Sequence, residues 1–119
     1  DSVPTSLGQE DHVSMGSISG RKLLQVIGNL EYILAIELLY AAQAIDFRRP
    51  FKSAPVIEAC HHHAREYVSF AKKDRIFATD IAALHQAVAS GSLVRVANQT
   101  AAANHIHLNG GYEGQFMLL

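Results

Sequence analysis

The sequence predicts an all-α fold made of long helices that belong to a larger helical bundle. Three observations carry that reading. Leu23, Ile27, Leu30, Leu34, Leu38, Ala41 and Ile45 recur at spacings of three and four, which places them on one face of a helix. Between Tyr32 and Ala42 apolar residues continue round the remaining faces, and a helix apolar on every side needs neighbours on every side. Pro50, Pro55 and Gly91 stand where helices end or begin.

Taken in order, residues 1–16 read as a loop, with Pro4 restricting φ and Gly8 permitting left-handed backbone. Residues 17–47 read as a helix about 45 Å long at 1.5 Å per residue. Ser17 or Ser19 suits its N-cap, and Gly20 and Gly28 weaken it locally. Arg48 and Arg49 are expected in its last turn, where cations complement the dipole, before Pro50 stops it. A second helix is expected from Ala54 to about Lys73, with Ser53 as N-cap and Val56, Cys60, Ala64, Tyr67 and Ala71 as its apolar stripe. A third follows Thr79 as N-cap, turns Ile81, Leu84 and Val88 inward, and stops at Gly91. The segment 93–108 is open between helix and loop, and Asn109-Gly110-Gly111 marks a turn. The organisation is then a loop over 1–16, a helical region over 17–91 and a C-terminal tail over 92–119.

The 119 residues suffice for one domain, and 49% hydrophobic with 18% charged residues describes a globular chain. A net charge of −1 provides no electrostatic footprint for nucleic acid or an anionic membrane. The apolar run Tyr32–Ile45 contains Glu37 and Gln43 and is short for a bilayer span, so no membrane partner is expected. Cys60 has no second cysteine to pair with, and no basic-then-apolar leader is visible, so a cytoplasmic location is expected. The chain begins on Asp1, and the expectation is a piece of a longer polypeptide.

The densest chemistry lies in Gln9-Glu10-Asp11-His12-Val13-Ser14-Met15-Gly16, just before the apolar helix. A carboxylate in a dry, mostly apolar bundle has its pKa raised and becomes a usable base, a role open to Glu10. The other reading of Glu10 is a cap on backbone N–H groups at the helix entrance. Asp11 and His12 read as supports of the segment, and Ser14 as a helix-entry hydroxyl, since no His/Asp pattern accompanies it. His61-His62-His63 point about 100° apart on a helix and do not converge on one ion. They read as a solvated or interface stretch, and His105 and His107 lack a third ligand, so no metal is expected. Cys60 reads as a small core residue, and Lys72-Lys73-Asp74-Arg75 as a solvated helix end.

The segments "PTSLGQEDHVSMG", "LAIELLYAAQAIDFRRP" and "DRIFATDI" together resemble the C-terminal part of the aromatic amino acid lyase family, in its histidine-deaminating branch. The likeness runs from residue 1 to about residue 90, and "QEDHVSMG" is its most specific part. The resemblance implies long, roughly parallel helices assembled as a homotetramer. It implies elimination of ammonia from L-histidine to give trans-urocanate. It also implies an electrophilic prosthetic group, 4-methylidene-imidazol-5-one (MIO), formed from an internal Ala-Ser-Gly. Ala89-Ser90-Gly91 is a literal match, but the family's tripeptide lies far upstream of "QEDHVSMG", so the cofactor is expected from outside this chain. Glu10 matches the family's active-site glutamate, placed to act on the β-proton or to hold the imidazole, and Gln9 stands beside it as a substrate contact. The tyrosine base, the asparagine and the carboxylate-binding arginine also lie upstream. The partners implied are L-histidine, the remainder of the polypeptide and further copies of it, and the isolated chain is expected to be inert. Two other readings are a tyrosine or phenylalanine ammonia-lyase or aminomutase of the same family, and a non-catalytic helical oligomerisation module.

Overall fold

A computed structural model describes residues 8–108, with side chains from residue 16 onward. Four helices follow one another: α1 (Gly8–Phe47), α2 (Pro55–Tyr67), α3 (Ala78–Ala89) and α4 (Ser92–Ala103), and no strand occurs among the described residues. The expected all-α class is therefore observed. Helix α1 packs against α3, and α2 against α4.

The boundaries differ from expectation in instructive ways. Residues 8–16, expected as loop, are part of α1, so Ser17 and Ser19 are interior residues rather than caps. The expected loop over 1–7 lies outside the described residues. Helix α1 ends at Phe47, and Arg48 and Arg49 lie in the turn beyond it, where their N–H groups donate to Ile45 O and Asp46 O. Ala54, not Ser53, is the N-cap of α2, in extended conformation, and Pro55 occupies the first turn, where its missing N–H costs nothing. Ser53 instead donates its backbone N–H to Glu58 Oε1 at 2.7 Å.

Helix α2 stops at Tyr67, six residues short of Lys73, because Val68 turns extended (φ −140°, ψ 127°) and is buried. Phe77 rather than Thr79 caps α3, and Gly91 holds a left-handed φ of 77° between α3 and α4. The open question over 93–108 resolves into α4, which His105 closes at φ 54° while Ile106 N–H reaches back to Ala101 O. His105 therefore terminates a helix and does not share an extended face with His107.

The core is small. Ala35, Ala42, Ala64, Val68 and Leu84 are buried together, with Leu38, Leu39, Ile81 and Ala83 packed on them. Ala35 and Ala42 lie two turns apart on α1, and lacking bulk they let neighbouring backbone approach closely. This corrects the expected α1 stripe: Leu23, Ile27, Leu30 and Leu34 are all exposed, and only Leu38 and Ile45 are partly covered. The periodicity is helical as read, but this chain buries the alanine face and leaves the leucine face open. Tyr32 adds a further α1–α3 contact by stacking on His85, with centroids 4.0 Å apart.

Among the described residues one helix, Gly16–Phe47, is long and apolar enough to cross a membrane by length and composition. The shorter run judged from sequence, Tyr32–Ile45, understated it, because the helix continues through residues that interrupt the apolar pattern without ending it.

Leu84 is the largest fully buried side chain. Leu84→Ala is expected to destabilise the chain by about 3 kcal/mol, read as a lower urea midpoint with an unchanged m-value. Gly91→Ala, forced to a left-handed backbone, is expected to cost about 1 kcal/mol in the same assay.

Candidate functional site

The residues that sequence reasoning singles out, Gln9, Glu10, Asp11, His12 and Ser14, lie on the N-terminal part of α1. Their side chains lie outside the described residues. What the structure establishes is the scaffold that carries them. Every residue from Gly16 to Ile27 is exposed, so this end of α1 projects from the described fold as a helical arm. From Glu10 to the first buried residue, Ala35, the arm rises about 37 Å at 1.5 Å per residue. Helix α1 is held by its packing on α3 and, where it ends, by α2.

There, a linked set of charged side chains ties α1 to α2. Asp46 Oδ2 accepts from Arg65 Nη2 at 2.6 Å and from Nε at 2.8 Å. Arg49 forms a two-pronged contact with Glu58, Nη1 to Oε1 at 2.8 Å and Nη2 to Oε2 at 2.7 Å. Paired N–H groups on a carboxylate give charge-assisted bonds with fixed geometry. His61 stands between the pairs, with Nδ1 3.4 Å from Arg49 Nη2 and Nε2 3.0 Å from Asp46 Oδ1. The contact with Asp46 falls short of a directed hydrogen bond, and its proximity is chiefly electrostatic.

The segment 68–77 is pinned by the same means. Gln43 donates from Nε2 to Ala71 O at 2.8 Å and accepts Ala71 N–H at Oε1 at 3.2 Å, closing a two-bond clasp. Arg65 Nη1 reaches Val68 O, and Arg75 reaches Ser69 O at 2.6 Å and Asp80 at 2.8 Å. The expected solvated helix end over 72–75 is therefore a loop, and Arg75 is its anchor, with its guanidinium over the Phe77 ring.

The three consecutive histidines separate by direction, as their 100° spacing requires. His61 and His63 turn toward the fold, while His62 is exposed, so the expected solvated stretch holds for one of the three. His63 Nε2 meets Ser92 Oγ at 2.9 Å and joins α2 to α4. Among the described residues no group of three or more His, Cys, Asp or Glu is placed to hold a metal ion. Cys60 is half-buried, and burial pushes its thiol pKa up, which favours the neutral, unreactive form.

A cleft of about 300 Å³ opens between α1 and the 71–81 stretch, bounded by Ile36, Leu39, Phe77 and Ile81 together with Lys73 and Asp74. Tyr40, Gln43 and Ala71 complete its lining, which contains no histidine, serine or cysteine. Ala89-Ser90-Gly91 forms the α3–α4 junction: Ser92 N–H donates to Ser90 Oγ, and Arg95 Nη1 to Ser90 O.

The charged corner was not identified from sequence. Asp46 and Arg65 are 19 residues apart, and the signal that marks them is local only in part: His61 and Arg65 fall four apart on α2 and share a face. Electrostatics follow from geometry. Partial burial raises the Asp46 pKa, but the hydrogen-bonded Arg65 guanidinium, with the His61 ring beside it, outweighs burial and holds the carboxyl below its usual range. Arg49, and after it the Ser53 N–H, hold Glu58 down to about 2. Both groups have folded pKa values below their unfolded ones, so their stabilisation is complete above the ordinary carboxylate range and is lost as pH falls through the folded value. Between about pH 5 and about pH 2 the thermal midpoint of the chain should fall. Glu58→Gln should start from a lower midpoint and lose less across the same interval.

Comparison with known proteins agrees with the segments quoted above. Residues 1–66 match the family described as "Aromatic amino acid lyase". A relative named "Histidine ammonia-lyase" from Psychromonas ingrahamii is 52% identical over 86 residues, covering 72% of this chain and 17% of the relative. One of the same name from Photobacterium profundum is 54% identical over 86 residues, with the same 72% and 17% coverage. A third, from Symbiobacterium thermophilum, is 50% identical over 94 residues, 79% of this chain and 18% of the relative. The chain thus spans less than a fifth of the length of these relatives. No solved structure matches it. A family match over more than half the chain, on the residues that form α1, the corner and most of α2, places this chain in the aromatic amino acid lyase family.

Proposed function

We propose that the complete polypeptide carrying this chain eliminates ammonia from L-histidine to give trans-urocanate. The observation that carries the reading is the 52% identity over 86 residues with a relative named for that activity. The β-proton of histidine is not acidic, so elimination requires both activation of the substrate and a positioned base. Glu10 is the group of this chain assigned to the substrate, with its carboxylate on the β-proton or on the imidazole and Gln9 orienting the substrate beside it.

The MIO group, when present, supplies the electrophile that activates the substrate. The Ala89-Ser90-Gly91 of this chain does not fit that role. It closes one helix and opens the next, with Gly91 left-handed and both polar groups of Ser90 engaged. The group is expected from another segment of the complete polypeptide.

Further polypeptide and further copies of it account for the exposed leucine face of α1, consistent with a homotetramer. A helix of this length meeting solvent on its apolar side is better explained by protein partners than by lipid, given Arg21, Lys22, Glu31 and Glu37 along it. A single half-buried thiol suits a reducing cytoplasm.

Glu10→Gln in the complete enzyme is expected to lower turnover by about 10²–10⁴-fold with an unchanged far-UV circular dichroism spectrum. Wild-type turnover in that variant removes Glu10 from the mechanism. The 119-residue chain alone should generate no urocanate absorbance from histidine, since it carries one of several groups required.

A further inference from the structure

The corner between α1 and α2 contains a protonation-dependent element. The Arg49 guanidinium has donors only, so the His61 nitrogen that faces it, Nδ1 at 3.4 Å, must present its lone pair. The other nitrogen, Nε2, lies 3.0 Å from Asp46 Oδ1, where a lone pair would oppose a carboxylate and a proton is favoured. Both contacts select the same form: neutral imidazole with its hydrogen on Nε2. The ring side chain is 9% exposed, so water has little room to take over either contact.

The charged groups facing this ring are Asp46 from α1, Arg49 from the following turn, and Glu58 and Arg65 from α2. Two cations and two anions cancel. The carboxylates are held ionised by their arginines, and arginine does not lose its proton, so the imidazole is the group of this set that can take one up. Adding a proton puts N–H on Nδ1, donor against donor and cation against cation with Arg49. The Asp46 contact survives that step, whereas the Arg49 contact does not.

We propose that His61 is a proton-operated joint, which couples the Arg49–Glu58 pair to the Asp46–Arg65 pair when neutral and uncouples them when protonated. Uncoupling loosens the 48–54 turn while leaving α2 tied to Asp46. The protonation state of one side chain then sets how firmly the 48–54 turn is held, independently of what the complete polypeptide catalyses.

Hydrogen exchange followed by mass spectrometry on the complete polypeptide tests this, comparing peptides that cover residues 47–56 at about pH 7.5 and about pH 5.5, either side of the ordinary histidine range, after correction for intrinsic exchange. The wild type should lose protection severalfold in this turn at the lower pH. His61→Gln, which presents a carbonyl to Arg49 and an amide N–H to Asp46 without titrating, should show no such step. Should that variant fail to fold, the ring nitrogen resonances of His61 in the wild type provide the second reading: at neutral pH, Nε2 should be protonated and Nδ1 bare. An equal loss of protection in wild type and variant, or a ring proton on Nδ1 at neutral pH, overturns the proposal.

Discussion

The ion pair between Asp46 and Arg65 is the constraint on which the rest of this structure depends. It joins the last turn of a 40-residue helix to the last turn of the next one, and so restrains the angle between them. The pair is partly buried, with side chains 20% and 16% exposed, and Arg65 also holds Val68 O at the end of α2. Removing either partner would strand a charge with limited access to water, which costs far more than losing an exposed pair. A core with one large fully buried side chain supplies little independent stiffness. Polar clasps therefore shape the fold to an unusual degree: Gln43 on Ala71, Arg49 on Glu58, Arg75 on Asp80.

From that corner α1 runs outward, and beyond its packed part Leu23, Leu24, Leu30 and Leu34 are exposed. A monomer rarely leaves a continuous apolar helix face in water, and a patch of this kind marks a surface made for other protein. The match to one relative covers 17% of that relative's length, so the family's chains extend well beyond the matched region. The polar segment around Glu10 sits at the far end of the arm.

Much of the helical framework is legible in the residues themselves. Pro50, Pro55 and Gly91 act through covalent geometry, and each lies where its φ requires. The spacing of apolar residues identifies α1 as a helix, yet it does not say which face is inward. The leucine stripe and the Ala35–Ala42 face are both apolar, and choosing between them needs knowledge of what packs where. The end of α2 was similarly hidden. Nothing in Ser69-Phe70-Ala71-Lys72-Lys73 forbids helix, but side chains of Gln43, Arg65 and Arg75 bind the backbone there and draw it into a loop.

Local chemistry, then, sufficed for the helical class, the breaks near Pro50 and Gly91, the separation of the three histidines and the family likeness carried by residues 4–16. Each depends on bond geometry or on residues within a turn or two of one another. The buried face of α1, the charged corner and the tautomer of His61 emerge only from packing. Asp46 and Arg65 lie 19 residues apart, and the buried face of α1 packs against Leu84 on α3, so these contacts form only after the chain has folded.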